Sequence, residues 1–570
     1  MALNAENSSR ASRAFKYGAN VLIGTVLFLA ILGAINFMAS KSALRADLTR
    51  SKQFTLSEGT RKVLRGLKSE VTATVYVTED GVPAATVEQR KQLRSLLMEY
   101  RAVSGNRINF TFKDPSADPE ALRKAEQAGV PPVQMQTMGN AEFSVKEGYF
   151  GIVLQYQGKN QVIPVIPQNL SLEYAMTNAI NKLAQVNVPV VGVVAAAGNP
   201  FMGEQGHFQA VAKLLQEEGY TVKSIDPTRM RDSDTSGVKL LMVMQPEELS
   251  EEALYRIDQF VMDGGKLFVA ASGVQFDQRS GNAMPRSPNI NSLLENYGVR
   301  IEQDLLEDWG NGQQRDFMTQ RSKVKRTDPF TIAATDLNET ATITAKLPSM
   351  VLLFPSSISR SASGTSATVQ ALVSTSARTR RQETMFNMQG ERLTPPSSEE
   401  LSGLKSYDVG VQVKGVLKSR FASVDPPVVT NDDGSTRAVA VSTVKHESPE
   451  TAEVVVVSSP FSFIDEVLGA GGATLVNAVF LLNTADAVTR GGEIISLRSK
   501  QAQFASLRKV EEGEARTTKA LVIVGMPALL ALLGLARLGW NRYRRNRWLE
   551  IYGVKKFNAV DASTQHSLKK

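Results

Sequence analysis

The chain has 570 residues, of which 42% are hydrophobic and 21% charged, a composition typical of a folded globular protein rather than a disordered one. It contains no cysteine, which excludes a disulfide scaffold, a cysteine nucleophile, an iron–sulfur cluster and a thiolate-bound zinc ion. The three histidines, His207, His446 and His566, are too scattered to predict a histidine metal site. The net charge of +8 raises the question of a nucleic-acid partner, and the distribution of charge along the chain answers it.

Two apolar stretches, residues 18–39 and 520–540, have the length of membrane-spanning helices. The segments outside them, residues 1–17 and 541–570, carry net charges of +2 and +6, whereas residues 40–519 sum to −1. This is the positive-inside pattern. It predicts a bacterial inner-membrane protein with both termini in the cytoplasm and the bulk of the chain outside it. The alternative for the first stretch is a cleaved signal peptide.

Several residues of the two predicted spans are expected to contact the membrane or a permease. The residues expected to contact a permease or the membrane are Gly18, Gly24, Gly33, Pro527 and Trp540. Pro527 is expected to kink the second span, and Trp540 lies where an aromatic belt meets the bilayer interface. The basic tail beyond it interleaves arginine with aromatic residues. Because this tail follows a span, it predicts contact with anionic lipids rather than with nucleic acid.

Residues 40–170 are predicted to form a membrane-proximal helix and a small α/β domain. Thr55 and Glu58 have capping-box spacing, which predicts a short helix within residues 48–67. The elements that follow are a strand at 71–77, a helix at 87–103, a strand at 107–112, a helix at 119–128 and a hairpin of strands at 148–156 and 161–166. The β-α-β-α-β-β order is typical of a thioredoxin-like fold, here without the redox Cys-x-x-Cys pair.

Residues 171–500 are predicted to form a second, Rossmann- or flavodoxin-like domain with a doubly wound parallel sheet. Its predicted elements are helices at 172–183, 207–218, 247–263 and 477–489, and strands at 188–196, 222–226, 240–244, 266–271, 410–416, 437–443 and 453–458. Near-continuous apolar strands that alternate with helices indicate parallel strands covered on both faces. Residues 275–400 are predicted to be a loop-rich insertion with strand-like stretches at 342–353 and 367–374. Residues 501–519 are predicted to form a stalk leading to the second span.

The loop after the first strand of this sheet is the natural position for a ligand pocket, because ligands bind at the carboxyl ends of parallel strands. The candidate pocket residues are Gly198, Asn199, Gly203, Glu204, Gly206 and His207. Glu204 and His207 have the chemistry of an acid–base pair, although a histidine at a helix start is more often a capping or surface residue. The loop lacks a G-x-G-x-x-G fingerprint, so its glycines are more often structural.

Other motifs with chemical roles are absent or have structural interpretations. The sequence contains neither G-x-x-x-x-G-K-[ST] nor G-x-S-x-G, which excludes a P-loop and a nucleophile elbow. Gly264-Gly265-Lys266 lies between a predicted helix and a predicted strand, the usual place for turn glycines, and His446 lies in an apparent loop. Asp114, Asp118 and Glu120 surround a proline and are expected to be turn and helix-capping residues. The sequence therefore predicts no enzyme, no metal site and no cofactor.

Short motifs occur in a recognisable order along the chain. They are Asp47-Leu48-Thr49 and Phe54-Thr55-Leu56-Ser57 with Thr60 and Leu64; Glu99-Tyr100 with Asp114-Pro115; Tyr149-Phe150-Gly151; Leu172-Glu173-Tyr174 with Asn178-Ala179-Ile180; and Asn477, Phe480-Leu481-Leu482-Asn483 and the segment 490–498. In this order they resemble the GldG-like family, the auxiliary, substrate-binding subunits of ABC transport systems associated with gliding motility. The resemblance covers most of residues 40–500. Ser458-Ser459-Pro460-Phe461 departs from the Gly-Asp-Ser-like turn that relatives often show, which argues against a ligand role for this turn.

The resemblance implies a non-catalytic accessory subunit, with a substrate-binding or coupling role, beside an ABC-2-type permease and a separate ABC ATPase. The missing P-loop agrees with this division of labour. Two alternatives stay open from the residues alone. One is an extracytoplasmic α/β hydrolase or sugar-binding enzyme that uses Glu204 and His207, and the other is a two-span sensor or interaction protein of the cell envelope.

Overall fold

The computed structural model describes the chain in separate ranges. These are residues 55–138, 143–166, 172–185, 188–195, 208–227, 230–244, 248–276, 283–318, 323–345, 347–361, 366–384, 394–430, 436–439, 444–469, 475–490 and 521–551, with single positions between them. The chain divides into two compact units, Met1–Ala505 and Ser506–Lys570, and each is described by itself.

The amino-terminal part of the first unit is an α/β layer around a four-stranded sheet. This region contains the strands β1 (Val71–Val77), β2 (Ile108–Lys113), β3 (Val133–Met138), β4 (Phe143–Gly148), β5 (Phe150–Tyr156) and β6 (Lys159–Ile163), of which β3 and β4 pair separately. Its helices are α1 (Glu58–Arg65), α2 (Ala84–Val103), α3 (Pro119–Gln127) and α4 (Leu172–Ala184). The sheet order is β2-β1-β5-β6, with β1 parallel to β2 and antiparallel to β5. Alternate residues of β1, among them Ala73 and Val75, pack against Leu93 and Leu97 of α2.

The six elements predicted between residues 71 and 166 are confirmed to within a few residues. Helix α3 begins as predicted, because the carboxylate of Asp118 accepts a hydrogen bond from the Glu120 amide at 2.9 Å and Pro119 occupies the first helical position. The β3–β4 hairpin was not predicted, because its polar residues give no clear alternation of apolar side chains.

The remainder of the first unit is built around an eight-stranded sheet. Its strands and those beside it are β7 (Val190–Ala195), β8 (Thr221–Ile225), β9 (Val238–Met244), β10 (Lys266–Ala270), β11 (Val274–Phe276), β12 (Ala283–Pro285), β13 (Val299–Ile301), β14 (Leu305–Asp308), β15 (Gly312–Met318), β16 (Lys323–Ala334), β17 (Asp336–Leu337), β18 (Met350–Leu353), β19 (Ile358–Arg360), β20 (Thr368–Ser374), β21 (Thr379–Gln382), β22 (Asp408–Lys414), β23 (Val428–Thr430), β24 (Thr436–Ala438) and β25 (Glu453–Val457). The helices are α5 (Gln209–Glu217), α6 (Asp232–Thr235), α7 (Glu251–Met262), α8 (Asn291–Leu294), α9 (Asp465–Gly469) and α10 (Leu475–Arg490), with 3₁₀ turns at Glu400–Gly403, Arg420–Ala422 and Pro460–Phe463.

The large sheet is mixed, in the order β17-β20-β22-β25-β10-β9-β7-β8. Strands β8, β7, β9, β10 and β25 run parallel to one another, and β22, β20 and β17 continue the sheet with antiparallel pairing. The expected wholly parallel sheet is therefore extended by antiparallel strands. The central strands are apolar on both faces, as with Met242 and Leu241 of β9, which belong to separate cores above and below the sheet.

The predicted insertion, residues 275–400, contains more regular structure than its composition indicated. Strands β15, β16 and β18 form a small antiparallel sheet, and the shorter strands pair as hairpins or across the chain. Strand β20 was predicted, but it belongs to the large sheet rather than to a separate insertion. The sequence analysis missed most of these strands because their residues are polar and show little alternation of apolar side chains.

The second unit contains helix α11 (Met526–Ile551), which follows one π-helical turn at Leu521–Gly525. The apolar side chains of this helix are exposed, with Leu532 and Trp540 65% and 66% accessible. Pro527 is the second residue of α11, directly after the π-helical turn Leu521–Gly525, so the predicted kink falls at a junction between π-helical and α-helical backbone.

The predicted two-span architecture is corrected by the structure. Within the residues described above, no helix is both long enough and apolar enough to cross a bilayer. The predicted second span, 520–540, covers the π-helical turn Leu521–Gly525 and the first part of α11, and the apolar stretch of α11 itself ends after 11 residues at Arg537. The predicted first span, 18–39, lies almost wholly outside the described residues, as do Gly18, Gly24 and Gly33.

Candidate functional site

The predicted ligand loop lies at the carboxyl end of β7. Its candidate residues fall outside the described part of the chain: Gly198, Asn199, Gly203, Glu204, Gly206 and His207. The described structure ends at Ala195 on one side of the loop and resumes at Phe208 on the other. The described groups nearest this loop are those at the start of α5 and at the carboxyl ends of the neighbouring strands.

The first helix after the loop, α5, has its amino terminus capped by a carboxylate from far along the chain. Asp465 accepts hydrogen bonds from the backbone amides of Ala210 at 2.6 Å and Gln209 at 3.3 Å. Phe208, at the N-cap position, has no side-chain acceptor of its own. The partial positive charge at a helix start favours an anion, and in this protein the anion is Asp465. An anionic ligand at this helix start would have to displace an internal carboxylate.

The turn after β25 is bonded to the segment that follows β18. The Ser458 hydroxyl donates to the carbonyl oxygens of Ser356 and Val409, and both Ser458 and Ser459 are fully buried. The Ser459 hydroxyl donates to the Leu353 carbonyl at 2.7 Å and accepts from the Leu353 amide at 3.0 Å. This turn therefore holds the large sheet to the insertion.

The end of β10 is closed in the same way. Gly273 lies so near the backbone of Glu302 that a Cβ atom would come within 1.8 Å of the Glu302 carbonyl oxygen. The Gly273 amide donates to the Ser356 hydroxyl at 3.0 Å, and that hydroxyl donates to the Asp304 carbonyl at 2.7 Å. Only glycine fits here, and the contact leaves no room for a ligand between the strand end and the insertion.

A buried carboxylate fastens the same seam. Asp304 is inaccessible to solvent and accepts from the Ser357 amide at 2.7 Å, from the Ser357 hydroxyl at 2.5 Å and from Arg381 Nε at 2.6 Å. Burial raises the pKa of Asp304 above its usual range, more than the Ser357 hydrogen bonds and the Arg381 charge lower it. The Asp304 carboxylate and the Ser357 hydroxyl are in contact, as in many catalytic sites, but Asp304 is inaccessible to solvent. Its contact with Arg381 holds the start of β14 against β21.

An open cavity lies at the opposite, amino-terminal edge of the same parallel strands. Its volume is about 760 Å³, within the range of small-molecule sites. Four basic side chains, one carboxylate, hydroxyls and an amide line it together with aromatic and aliphatic groups: Lys239, Arg256, Lys266, Lys445, Asp263, Thr235, Ser236, Thr451, Thr489, Gln259, Tyr255, Phe260, Val238 and Val488. The sequence analysis noted Gly264-Gly265-Lys266 as a turn but gave no sign that it borders a cavity.

The other candidates from the sequence have structural roles in this structure. Asp114 accepts from the amides of Ser116 at 2.8 Å and Glu79 at 3.0 Å, as expected of a turn residue. His446 is exposed, and its carbonyl accepts a hydrogen bond from the Ser419 amide at 2.8 Å. Among the described residues, no group of three or more His, Cys, Asp or Glu side chains is placed to hold a metal ion.

The motifs that carry the family resemblance meet in space in the amino-terminal region. Glu173 of α4 is buried, and its carboxylate accepts from the Ser57 amide at 2.6 Å and from the Thr60 hydroxyl at 2.7 Å. The Tyr100 hydroxyl donates to the Glu173 carbonyl at 3.0 Å and shares a 2.5 Å hydrogen bond with Thr177. These residues bind α1, α2 and α4 together, so this part of the resemblance falls on a packing contact between three helices.

The later motifs fix α10. The Asn477 side chain pairs with the backbone of Val351, donating at 2.8 Å and accepting at 3.0 Å, and the Asn483 amide donates to the Ile343 carbonyl at 3.1 Å. Asn477 also donates to the Ser462 carbonyl at 2.9 Å. The buried asparagines therefore hold the segment before β18 against α10.

Comparison with known proteins shows the family to which the chain belongs. The fold and the site define a multidomain α/β protein whose described carboxyl edge is held closed by its own groups. Residues 188–484, more than half of the chain, match the family described as an ABC-type uncharacterized transport system, and the chain belongs to this family of ABC transporter auxiliary proteins. Residues 50–155 match a domain of unknown function.

One relative and two solved structures show the reach of the similarity. An uncharacterized protein of Borreliella burgdorferi is 27% identical over 293 residues, which are 51% of this chain and 56% of the relative, so the match spans little more than half of that protein. The mmIFT52 N-terminal domain is 14% identical with a TM-score of 0.30 and coverage of 51% of this chain and 96% of that one. A β-galactosidase from the haloarchaeon Halorubrum lacusprofundi is 12% identical with a TM-score of 0.17, over 52% and 44%. TM-scores this low carry no inference about the fold.

Proposed function

We propose that this protein is a non-catalytic coupling or substrate-binding subunit of a GldG-like ABC transport system, acting beside an ABC-2-type permease and a separate ABC ATPase. The observation that carries the proposal is the family match over residues 188–484, which begins just before β7 and ends within α10 and so takes in the large sheet. The absent P-loop requires that ATP hydrolysis reside in another chain of such a system.

A coupling role is supported by the contacts between the amino-terminal region and the large-sheet region. The Asn178 side chain of α4 donates to the Glu218 carboxylate at 3.0 Å. Arg490, at the end of α10, donates to the Gln185 side chain at 3.3 Å and to the Gly219 carbonyl at 3.1 Å. Helix α4 thus joins the Glu173 network to the large-sheet region, and the proposed coupling would act through this packed helix.

The same junction is reinforced by a buried aromatic residue. Arg490 lies over the ring of Tyr220 at 3.8 Å and pairs with Asp486 at 3.2 Å, and the Tyr220 hydroxyl donates to Asp486 at 2.5 Å. Burial raises the pKa of Tyr220 well above its usual range, with the Asp486 charge adding to the effect. The buried Tyr220 hydroxyl therefore adds a hydrogen bond to this junction.

Helix α11 supplies the proposed contact with anionic lipids and the permease. Its exposed apolar residues, Leu532 and Trp540 among them, precede a run of arginines that begins at Arg542. Arginines beside exposed aromatic residues favour an anionic membrane surface. The predicted position of the folded regions on the outer side of the inner membrane stays a prediction, and protease accessibility in intact spheroplasts tests it.

Affinity purification of the tagged chain from detergent-solubilised membranes of its own organism tests the proposed assembly. We expect a polytopic permease and an ATPase to co-purify. A variant with Arg542 and Arg544 changed to Gln is expected to lose membrane recovery, whereas a matched change of the exposed lysines Lys91 and Lys213 to Gln is not. Recovery of the chain alone, under conditions that keep another ABC complex intact, would contradict the proposal.

A further inference from the structure

The cavity at the amino-terminal edge of the large sheet carries more positive charge than its architecture needs. Lys239 and Lys266 are contributed by the starts of β9 and β10, Arg256 by α7 and Lys445 by the loop before β25. Asp263 is the carboxylate in the lining, and it is paired with Lys445. Lys239 and Lys266 have no carboxylate partner within the lining, and the charge of Glu453 acts on Lys266 from outside it.

The glycine turn beside these lysines already satisfies the end of α7. The Gly264 amide donates to the Val261 carbonyl and the Gly265 amide to the Phe260 carbonyl, both at 2.9 Å, with Gly264 in the left-handed conformation at φ +89°. This is a Schellman ending, in which backbone amides cap the last carbonyls of a helix. The basic side chains are therefore not required as caps of α7, and the glycine amides are not available to a ligand.

One of the cationic groups is held in place by burial. The side chain of Arg256 is only 4% exposed, and its Nε and Nη2 donate to the Glu252 carboxylate at 3.1 Å and 2.7 Å. Lys266 is half-buried and donates to the Thr451 carbonyl, and burial lowers the pKa of its ammonium group below the usual range. A partly desolvated ammonium group gains more from an incoming anion than a fully hydrated one does.

We propose that this cavity binds a small organic molecule bearing a multiply charged oxyanion group, through Lys239 and Lys266. The neighbouring hydroxyl of Ser236 would donate to the same group, and the apolar wall at Tyr255 would contact the remainder of the ligand. The cavity is distinct from the predicted loop at the carboxyl edge, and this proposal does not depend on the proposed transport role.

Isothermal titration of the purified full-length chain with inorganic pyrophosphate and, separately, with citrate tests this proposal at constant ionic strength. We expect at least one probe to bind with a dissociation constant of about 1 mM or below. Tighter binding of pyrophosphate assigns the site to phosphorylated ligands, and tighter binding of citrate assigns it to polycarboxylates.

Charge-neutralising variants locate the binding. Lys266→Gln and Lys239→Gln are each expected to weaken it about tenfold, whereas Lys213→Gln, on the exposed face of α5, is expected to leave it unchanged. Lys239 is exposed, so the Lys239→Gln variant is expected to fold. If Lys266→Gln does not fold, the binding measured for Lys239→Gln tests the proposal. No binding of either probe to the unmodified chain, or equal binding by both cavity variants and the control, would overturn the proposal.

Discussion

The two edges of the large sheet differ in what fills them. At the carboxyl edge, the described strand ends are bonded to the chain's own groups: Ser458 and Gly273 to the insertion, and α5 to Asp465. At the amino edge, the same strands border an open cavity of about 760 Å³ lined by basic side chains. Doubly wound sheets ordinarily bind ligands at the carboxyl edge.

The difference between the two edges shows how an insertion can occupy the edge of a sheet at which related folds bind ligands. A strand end is a binding site when its backbone groups and the adjacent helix start are free to contact a ligand. In this protein, Ser356 and Asp465 take those positions, so the described carboxyl edge stabilises the structure. We therefore expect substitutions at the carboxyl edge to change stability and substitutions at the amino edge to change binding.

The largest loss of stability is expected at Asp304. Asp304→Ala removes a buried carboxylate and leaves the Ser357 donors and Arg381 without their acceptor, which is expected to cost about 3 kcal/mol in the free energy of unfolding. Chemical denaturation of the full chain measures it. Asp316→Ala, which breaks the exposed pair with Lys323, is the control and is expected to cost less than about 1 kcal/mol. Equal losses would contradict a closed carboxyl edge.

A smaller loss is expected at Gly273. Gly273→Ala places a methyl group against the Glu302 backbone, which has to move, at an expected cost of about 2 kcal/mol in unfolding free energy. Gly403→Ala is the matched control, because a Cβ atom at Gly403 meets no atom within 4 Å. Thermal denaturation compares the two variants, and an unchanged melting temperature for Gly273→Ala would show that the insertion is not packed on this strand end.

The helix cap is expected to contribute about 1 kcal/mol. Asp465→Ala removes the acceptor for the amides of Gln209 and Ala210, so their hydrogen exchange is expected to become faster than that of the middle of α5. Asp465→Asn keeps a side-chain oxygen and is expected to restore part of the protection. If both variants exchange as the unmodified chain does, Asp465 does not cap this helix.

The smallest expected effect is a dependence on pH. Because burial raises the pKa of Asp304, the folded state binds a proton more readily than the unfolded chain does. The stability that follows from this is complete below about pH 3.8 and is lost as the pH rises through the raised pKa. The difference in unfolding free energy between the unmodified chain and Asp304→Asn should therefore narrow from pH 4 to pH 7. If this difference in unfolding free energy instead widened as the pH rose, the pKa of Asp304 would be lowered, not raised, in the folded state.

The sequence predicted the local elements well where their pattern was strong. The apolar strands at β7, β9, β10 and β25 were found because a strand buried on both faces is recognisable without its neighbours. The antiparallel strands β22 and β20 extend the sheet through long-range pairing that no local pattern reveals. The insertion was predicted to be loop-rich because polar residues were mistaken for exposed ones.

The prediction that residues 520–540 form a membrane-spanning helix was wrong for a related reason. An apolar stretch shows that a segment can be buried in lipid, but the helix that forms sets the usable length. In α11 the apolar part is interrupted by Arg537, and the helix continues through further arginines to Ile551. The orientation in a membrane that was inferred from the charge distribution stays a prediction.

The candidate site was predicted only in part. The rule for parallel sheets identified the loop after β7, whose residues lie outside the described structure, so its ligand role stays a prediction. The Asp465 cap was missed because 255 residues separate it from Ala210. The amino-edge cavity was missed because Lys239, Lys266 and Lys445 are ordinary surface lysines until folding brings them to one opening.

By itself, the sequence determined the chemistry that is available and the order of the elements. It contains no cysteine, no P-loop and near-neutral charge between residues 40 and 519, and its ordered motifs resemble an ABC transporter auxiliary family, the family confirmed by comparison. Only the tertiary structure decided which edge of the sheet is closed, because the closing groups act across distances of 50 to 250 residues. Hydrogen bonds such as Ser458 to Ser356 and Asp465 to Ala210 depend on packing, which a linear pattern does not specify.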